Sequence, residues 1–542
     1  MLTATVIFLI TYLFIGLRQI PRVHIDRPAG ALVGAVLMVV TGVLTLDEAF
    51  AAVDLHTLLL LFGMMVITVY LRIAGFFELM AGRIITHSRT PLQLLTLVSL
   101  SSAVLSALFV NDTICLLFTP IVLEVALQLR VNPMPYLLAL ATSSNIGSVM
   151  TITGNPQNML IGIYSRVPYL PFFAALVPVA AIGLVVSIAV IRLIYRGDLA
   201  KTRFDHQPTV PAPVVDRRLL ILSLLVCAGV LVAFSAGFPY SLSAAAGGVA
   251  LMLLGGVRTE RVLEGVDWTL LLFFAGLFIV MRGVEASGLA GKIIAWAGDL
   301  SGVPPLARIA GLSVLSAALS NVVSNVPAVM LLKSFIESLG GERVLWLTLA
   351  MSSTLAGNLT LIGSVANLIV AQQARKRVEI GFLEYLRVGA LVTVITIGAG
   401  ILVLAAEIRL AEAAADRPAI SVMPAKAGAA ARSFSVVLLR ETDEEKAQGL
   451  QGFRRLRENE AALFFFRPPQ QVTFWMASVS YPIDIVFVDQ QGMVIGVADH
   501  CRPGGAEIYP SGGPVGWVIE TAAGSGLAPG DRISFTGLPS PR

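Results

Sequence analysis

Apolar residues run along this chain in long blocks, and the polar residues that interrupt them recur at matched places. Near-uncharged stretches at residues 2–17, 28–44, 55–71, 172–194, 218–236, 240–255, 267–281 and 386–406 approach the length needed to cross the roughly 30 Å apolar core of a bilayer. Each predicts a membrane helix. Four further segments are apolar but broken: 91–129 by Asn111 and Asp112, 135–165 by "TITGNPQNMLIG" (151–162), 305–338 by "SNVVSNVP" (320–327), and 344–373 by "GNLTLIGSVAN" (357–367). Inside hydrocarbon every backbone polar group needs a partner, so a broken helix survives only where protein buries it or where it lines a wet cavity.

The two halves also match in sequence. "GAVLMVVTG" (34–42) answers "GVALMLLGG" (248–256), "VDLHTLLLLFGM" (53–64) answers "VDWTLLLFFAGL" (266–277), and "VLSALFVND" (104–112) answers "VLSAALSNVVSN" (314–325). Leu/Val runs alone would match by chance; Asn, Gly and Asp in the same order point to a duplicated unit. Beyond residue 407 the pattern changes. An Ala/Pro-rich linker, 408–432, precedes alternating runs such as "SFSVVLL" and "IDIVFVD" with turns "RPGG" and "PSGGP", which predict a small, mainly β domain.

Composition agrees: 56% of the 542 residues are hydrophobic and 13% charged, with mean hydropathy +0.83. That is a polytopic membrane protein. The net charge of +4 sits largely in short loops, so it encodes topology, and no nucleic-acid partner is expected. Cys115, Cys227 and Cys501 have no metal-ligand or redox spacing. Residues 2–17 lack a basic lead-in and a cleavage site, so they are expected to remain as a helix.

Basic residues crowd 18–27 (Arg18, Arg22, Arg27), 72–90 (Arg72, Arg83, Arg89), 195–218 (Arg196, Lys201, Arg203, Arg217, Arg218) and 374–377 (Arg375, Lys376, Arg377), which places those loops in the cytoplasm. If 91–129 and 305–338 enter and leave on one face as hairpins, each half crosses an odd number of times and the second half is inverted. The expected fold is therefore an all-α polytopic membrane protein of two inverted repeats with re-entrant hairpins and broken helices, plus a small, mainly β, soluble C-terminal domain. Its parts are repeat 1 (1–195), a cytoplasmic linker (196–217), repeat 2 (218–407), the Ala/Pro-rich linker (408–432) and the β domain (433–542). The N-terminus and the β domain fall outside the cytoplasm, in a bacterial inner membrane.

The interruptions carry the candidate chemistry. Pro156 cannot donate to a helix ladder, Gly154 permits backbone angles other residues avoid, and Asn155, Gln157 and Asn158 offer amide oxygens and donors. Facing half-helices present N-terminal NH groups to an anion and C-terminal carbonyls to a cation. The hairpin tips add Asn111, Asp112 and Thr113, then Ser324 and Asn325. Asn145, Asn358, Gly363, Ser364 and Asn367 complete the candidate set on the broken segments. Asp112 is the only acid among these elements, and an intramembrane carboxylate costs roughly 2.5–3.5 kcal/mol at the bilayer centre, so it marks function by default. It can hold sodium when ionised, or carry a proton. A sodium site is expected at Asn111, Asp112, Asn158, Asn325 and Asn367, with no other cofactor. Asp54 and Asp267 read as helix caps. No catalytic triad, phosphate loop or zinc spacing is present, so no enzyme is expected.

"SSNIGSVMTITGNPQNMLIG" (143–162) and "FVNDTICLLFTPIV" (109–122) resemble the ion transporter superfamily, which includes arsenite permeases, sodium/proton antiporters, citrate carriers and divalent anion/sodium symporters. The resemblance covers roughly residues 1–407 and implies a commonly dimeric elevator-like or rocking carrier. By position it implies one half-site from Asn111, Asp112, Thr113, Gly154, Asn155 and Asn158, and another from Ser324, Asn325, Gly363, Ser364 and Asn367. The tips read Val-Asn-Asp-Thr and Ser-Asn-Val-Pro where the dicarboxylate branch has Ser-Asn-Thr, which brings them nearer the arsenite-permease-like members. Residues 433–537 are similar to the family called domain of unknown function 192, through "GLQGFRRL" (449–456), "FWMASVSYPIDIVFVD" (474–489) and "VIETAAG" (518–524). Trp475 and Met476 there read as core more readily than as a ligand patch.

The functional expectation is a secondary carrier of a small anion, coupled to sodium or protons, working by alternating access of a midplane site in the lipid bilayer. A sodium/proton antiporter or an arsenite-type efflux permease is the nearest alternative. A membrane anchor for an extracytoplasmic binding or sensor domain is the other.

Overall fold

The computed structural model describes residues 2–16, 27–200, 203–204, 214–288, 303–339, 341–415, 418–426, 430–451, 453–477 and 479–536. Arg18, Arg22 and Lys201, counted above as topological charges, lie outside the described residues. The chain divides into two compact units, Met1–Glu407 and Ile408–Arg542.

In the first unit, eight described helices are long and apolar enough to cross a membrane, among them Leu55–Ile73, Tyr169–Ile194, Arg217–Ser235 and Trp268–Ala286. Large apolar side chains such as Leu9, Val36, Val185, Leu225 and Leu253 point outward, as a lipid-facing surface requires. The duplication is visible in packing. Leu55–Ile73 packs on Tyr240–Leu254 from the other half, and Trp268–Ala286 packs on Arg27–Val40. Asp54 Oδ1 caps the first of these helices through Thr57 N (3.1 Å), and Asp267 Oδ1 caps its counterpart through Leu270 N (2.9 Å). Both contacts close on a glycine: a Cβ on Gly63 would lie 2.4 Å from the Ala244 carbonyl carbon, and one on Gly276 2.9 Å from that of Ala31. Gly63→Ala is therefore expected to cost about 1–3 kcal/mol by forcing two backbones apart, and more than Gly276→Ala. Thermal unfolding in detergent checks this, and equal melting of Gly63→Ala and the parent would contradict the close approach.

Two pairs of helices fold back on themselves. The first hairpin joins Pro91–Leu108 to Asn111–Gln128, and Leu94 and Val98 of one limb share a small cavity with Ile121, Val122 and Val125 of the other. The second joins Pro305–Val323 to Asn325–Ser338 through Ser324 alone, and the Arg308–Glu342 ion pair (3.0 Å) ties its two ends together. Each hairpin precedes a broken helix. The first is Met134–Ser148, a single 3-10 turn at Ile152–Gly154, and Pro156–Ser165. The second is Arg343–Ala356 and Val365–Ala374.

The two assemblies enter from opposite ends. Tyr169–Ile194, roughly 40 Å long at 1.5 Å per residue, and Phe382–Ala415 serve as rulers. At one end Tyr195 donates to Glu384, the short helix Arg196–Leu199 packs on the first hairpin, and Asp198 lies within electrostatic reach of Tyr136 at the start of the first broken helix. At the other end Arg343, which starts the second broken helix, bonds Pro171 O (3.2 Å) and Glu407 Oε1 (2.8 Å). The second half is inverted relative to the first.

The second unit is a seven-stranded sheet ordered β6-β5-β8-β3-β2-β1-β9, with a two-stranded β4-β7 ribbon. The strands are β1 Ala419–Met423, β2 Arg432–Arg440, β3 Glu460–Gln470, β4 Thr473–Trp475, β5 Ile483–Val488, β6 Val494–Cys501, β7 Ile508–Pro510, β8 Val515–Ala522 and β9 Arg532–Thr536. Among the described strands only β2 and β3 pair in parallel. A bridge between Met493 and Arg532 brings the outer strands together and curls the sheet toward a barrel, which leaves less open edge. The expected linker over 408–432 is corrected here. A membrane helix runs on to Ala415, and Ala419–Met423 is strand β1, paired on both sides because Ile420 and Val422 alternate into the core.

Candidate functional site

The hairpin tips and the breaks converge on one buried amide network. Asn145, three residues before the end of its half-helix, is the hub. Its Nδ2 donates to Asn358 Oδ1 (2.8 Å) and Asn367 Oδ1 (2.9 Å), and its Oδ1 accepts from Asn111 Nδ2 (3.0 Å) and Ser364 Oγ (3.1 Å). One side chain thus joins the first hairpin tip to the second broken helix.

Thr354 holds the matching place in the other half. Its Oγ1 accepts from Asn155 Nδ2 (3.2 Å) and Gln157 Nε2 (3.3 Å) and donates to Asn158 Oδ1 (3.3 Å). Each broken helix is clipped in the same way. Asn158 Nδ2 reaches back ten and seven residues to Ser148 O (3.0 Å) and Thr151 O (3.0 Å), and Asn367 Nδ2 reaches back ten and seven to Gly357 O (2.7 Å) and Thr360 O (3.1 Å). These bonds satisfy carbonyls that the broken ladder leaves unpaired. Asn155 caps the second half-helix by accepting from Asn158 N (2.8 Å), with Pro156 at the first helical position. Gly154 lets the backbones of Ser148 and Ser106 close in, since a Cβ there would sit 2.4 Å from Ser148 O.

A cavity of about 40 Å³ lies between the tips. Four helices open onto it: Asn111 and Asp112 start one, Pro156 and Gln157 the second, Asn325 and Val326 the third, Ser364 and Val365 the fourth. Leu270, Phe273 and Phe274 form its apolar wall. Asn111 and Asn325 are 3% and 8% exposed, and the Oδ1 of each has no hydrogen-bond partner. Ser324 turns the second tip at φ +76°, ψ 161°, a region that costs a non-glycine residue about 1–3 kcal/mol. Asp112 also lines a neighbouring cavity of about 70 Å³ with Thr113, Arg72 and Asp267.

Asn111, Asp112, Gln157, Ser324, Asn325 and Ser364 thus meet at one cavity. Thr113 faces the adjoining one, and Gly363 lies against Asn321 Oδ1 and Gly357 O. The side-chain oxygens of Asn158 and Asn367 already accept hydrogen bonds, so these two residues hold the breaks in shape. Sequence reasoning missed Thr354; its signal was its position matching Asn145 once the two clips are aligned. In the second unit Met476 is buried core, whereas Trp475 is 56% exposed.

Residues 6–342 match the model of a family described as citrate transporter, and 425–535 match the domain of unknown function 192 family, described only as uncharacterized. The chain is 32% identical over 422 residues to a silicon efflux transporter of Oryza sativa subsp. japonica, covering 66% of this chain and 87% of the relative. It is 25% identical over 419 residues to an arsenical pump membrane protein of Escherichia coli, covering 72% and 96%. Among solved structures, the YdaH transporter of Alcanivorax borkumensis is similar at 15% identity and TM-score 0.49, over 67% of this chain and 87% of that one.

Proposed function

Since the chain belongs to the citrate transporter family, whose members are membrane transporters and not enzymes, we propose that it is a secondary carrier of a small anion, coupled to sodium or protons. The observation that carries the anion is the convergence of four helix N-termini on one cavity. Each N-terminus contributes about half a positive charge, which favours an anion. The unpartnered oxygens of Asn111 and Asn325, together with Asp112, favour a coupling cation beside the anion. The inversion supports alternating access, because each half brings its tip and break from its own side to the same cavity. The silicon and arsenical relatives make small inorganic oxyanions the first substrates to try. An inner-membrane homodimer with the N-terminus and β domain extracytoplasmic belongs to the same reading.

Reconstitution into proteoliposomes tests it with arsenite, sulfate, phosphate and citrate. Uptake of one of them driven by a sodium or proton gradient is the expected result. Sodium/proton exchange with no anion flux would replace the proposal by an antiporter that uses Asp112 alone.

A further inference from the structure

The C-terminal domain contains a cavity of about 290 Å³. Phe466 of β3 and Phe474 and Trp475 of β4 wall it, Lys446 and Gln451 stand on another side, and Glu520 of β8 lines it from the sheet. Phe466 and Phe474 meet edge to face at 6.4 Å, and the Trp475 indole is half exposed.

Glu520 is the anomaly. It is 4% exposed, yet its Oε2 has no hydrogen-bond partner. Another buried acid of the sheet, Asp484, accepts at one oxygen from His500 N (2.8 Å) and at the other from Ser525 N (2.7 Å). A buried carboxyl without such partners is costly, and a leucine would fill the same space at less cost. Burial pushes the Glu520 carboxyl up to about 8, against the pull of the Arg440 guanidinium. Lys446 is already spoken for: its ammonium sits 5.0 Å from the centre of the Phe466 ring and 3.3 Å from Asp443 Oδ1. One aromatic wall therefore already takes a cation, and the group left wanting is the acid.

We propose that this cavity binds a small organic cation, an amine or guanidine on an apolar stem, whose head pairs with Glu520 and whose stem packs among Phe466, Phe474 and Trp475. The site is independent of the carrier reading. Binding displaces the Glu520 proton, so affinity rises with pH up to about 8 and then levels. The groups facing Glu520 do not confuse this window. The charged neighbours are Arg440 and Lys446; the Cys501 thiol is pushed up to about 11 by burial, and the Tyr481 hydroxyl is raised by burial.

Isothermal titration of the full chain in detergent with benzylammonium, benzyl alcohol and benzoate tests the site. Benzylammonium should bind tightest. Glu520→Gln should weaken it roughly 10- to 100-fold, the range of a hydrogen bond to a charged group, and abolish the pH dependence. Glu520→Gln keeps the shape of the side chain, and it should also flatten the loss of stability that the parent shows as pH rises from about 4.5 to 8, where the folded domain holds a proton that the unfolded chain releases. Trp475→Ala alters an exposed ring and should weaken binding several-fold without unfolding the domain. Benzyl alcohol or benzoate binding as tightly as benzylammonium, or unchanged binding in both variants, overturns the proposal.

Discussion

Asn145→Ala is expected to lower transport by about 100-fold and to destabilise the helical unit by about 3 kcal/mol or more, since each buried polar group left unpaired costs roughly 1–3 kcal/mol. The truncation strands four partners at once. Asn358 Oδ1 and Asn367 Oδ1 lose a donor, while Asn111 Nδ2 and Ser364 Oγ lose an acceptor. Those four belong to the first tip and to the second break, so the loss uncouples the halves as well as weakening them. Asn145→Asp sharpens the test. It keeps the acceptor for Asn111 and Ser364 but turns a carboxylate oxygen toward the two amide oxygens. Asn367 cannot relieve that clash by turning over, because its Nδ2 is fixed on Gly357 O and Thr360 O. Asn145→Asp should therefore match or exceed Asn145→Ala in damage despite the smaller change in shape. Thr354→Val, which removes longer bonds of 3.2–3.3 Å, should cost less. Uptake in proteoliposomes and thermal unfolding in detergent read both quantities, and a parent-like Asn145→Ala would dissolve the hub.

The interruptions were legible because proline, glycine and asparagine are conspicuous in apolar surroundings where backbone groups have no water to turn to. The duplication was legible for a related reason: the glycines that permit close helix approach and the aspartates that cap helices recur in order, and Gly63 and Gly276 make matching contacts. The place of Asn145 as the hub was not. Its partners Asn358 and Asn367 are 213 and 222 residues away, and the helix around it reads as ordinary small-residue packing. Thr354 escaped altogether, since a threonine inside a membrane helix usually bonds its own preceding turn, as Thr348 does with Val344 O. Strand β1 was hidden by composition. The alternation in Ala419–Met423 is five residues long inside an Ala/Pro-rich stretch, and its outer partner β9 lies more than a hundred residues on.

The same comparison changes what the amides do. Asn158 and Asn367 were expected among the sodium ligands, yet each spends its amide on backbone carbonyls of its own break. Such clips satisfy the backbone of each break, while Asn111 and Asn325, one on each tip, each have an Oδ1 without a hydrogen-bond partner. A symmetric pair of such oxygens on elements that enter from opposite ends suits a site that must be completed from either side in turn.

Asp112→Asn is expected to abolish ion-driven accumulation, by about 100-fold or more on the scale of a lost charged contact in a buried site, while leaving the melting temperature within a few degrees. Among the described residues Asp112 is the only acid lining the cavity between the tips, and it also lines the adjoining cavity that contains Arg72 and Asp267. Its place in the first turn of Asn111–Gln128 suits a carboxylate, because the helix N-terminus stabilises negative charge there. Asparagine keeps the size and the hydrogen-bonding reach but can neither hold sodium by charge nor exchange a proton. Exchange of substrate for substrate across the membrane requires no net ion movement, so counterflow in Asp112→Asn should persist when accumulation has gone. The coupling ion then separates by titration. If sodium is the partner, added sodium stabilises the parent against heat and not the variant; if a proton is the partner, sodium stabilises neither, and the pH dependence of the parent's uptake disappears in the variant. Full gradient-driven accumulation by Asp112→Asn would remove this carboxylate from the coupling step and leave the tip asparagines to account for it.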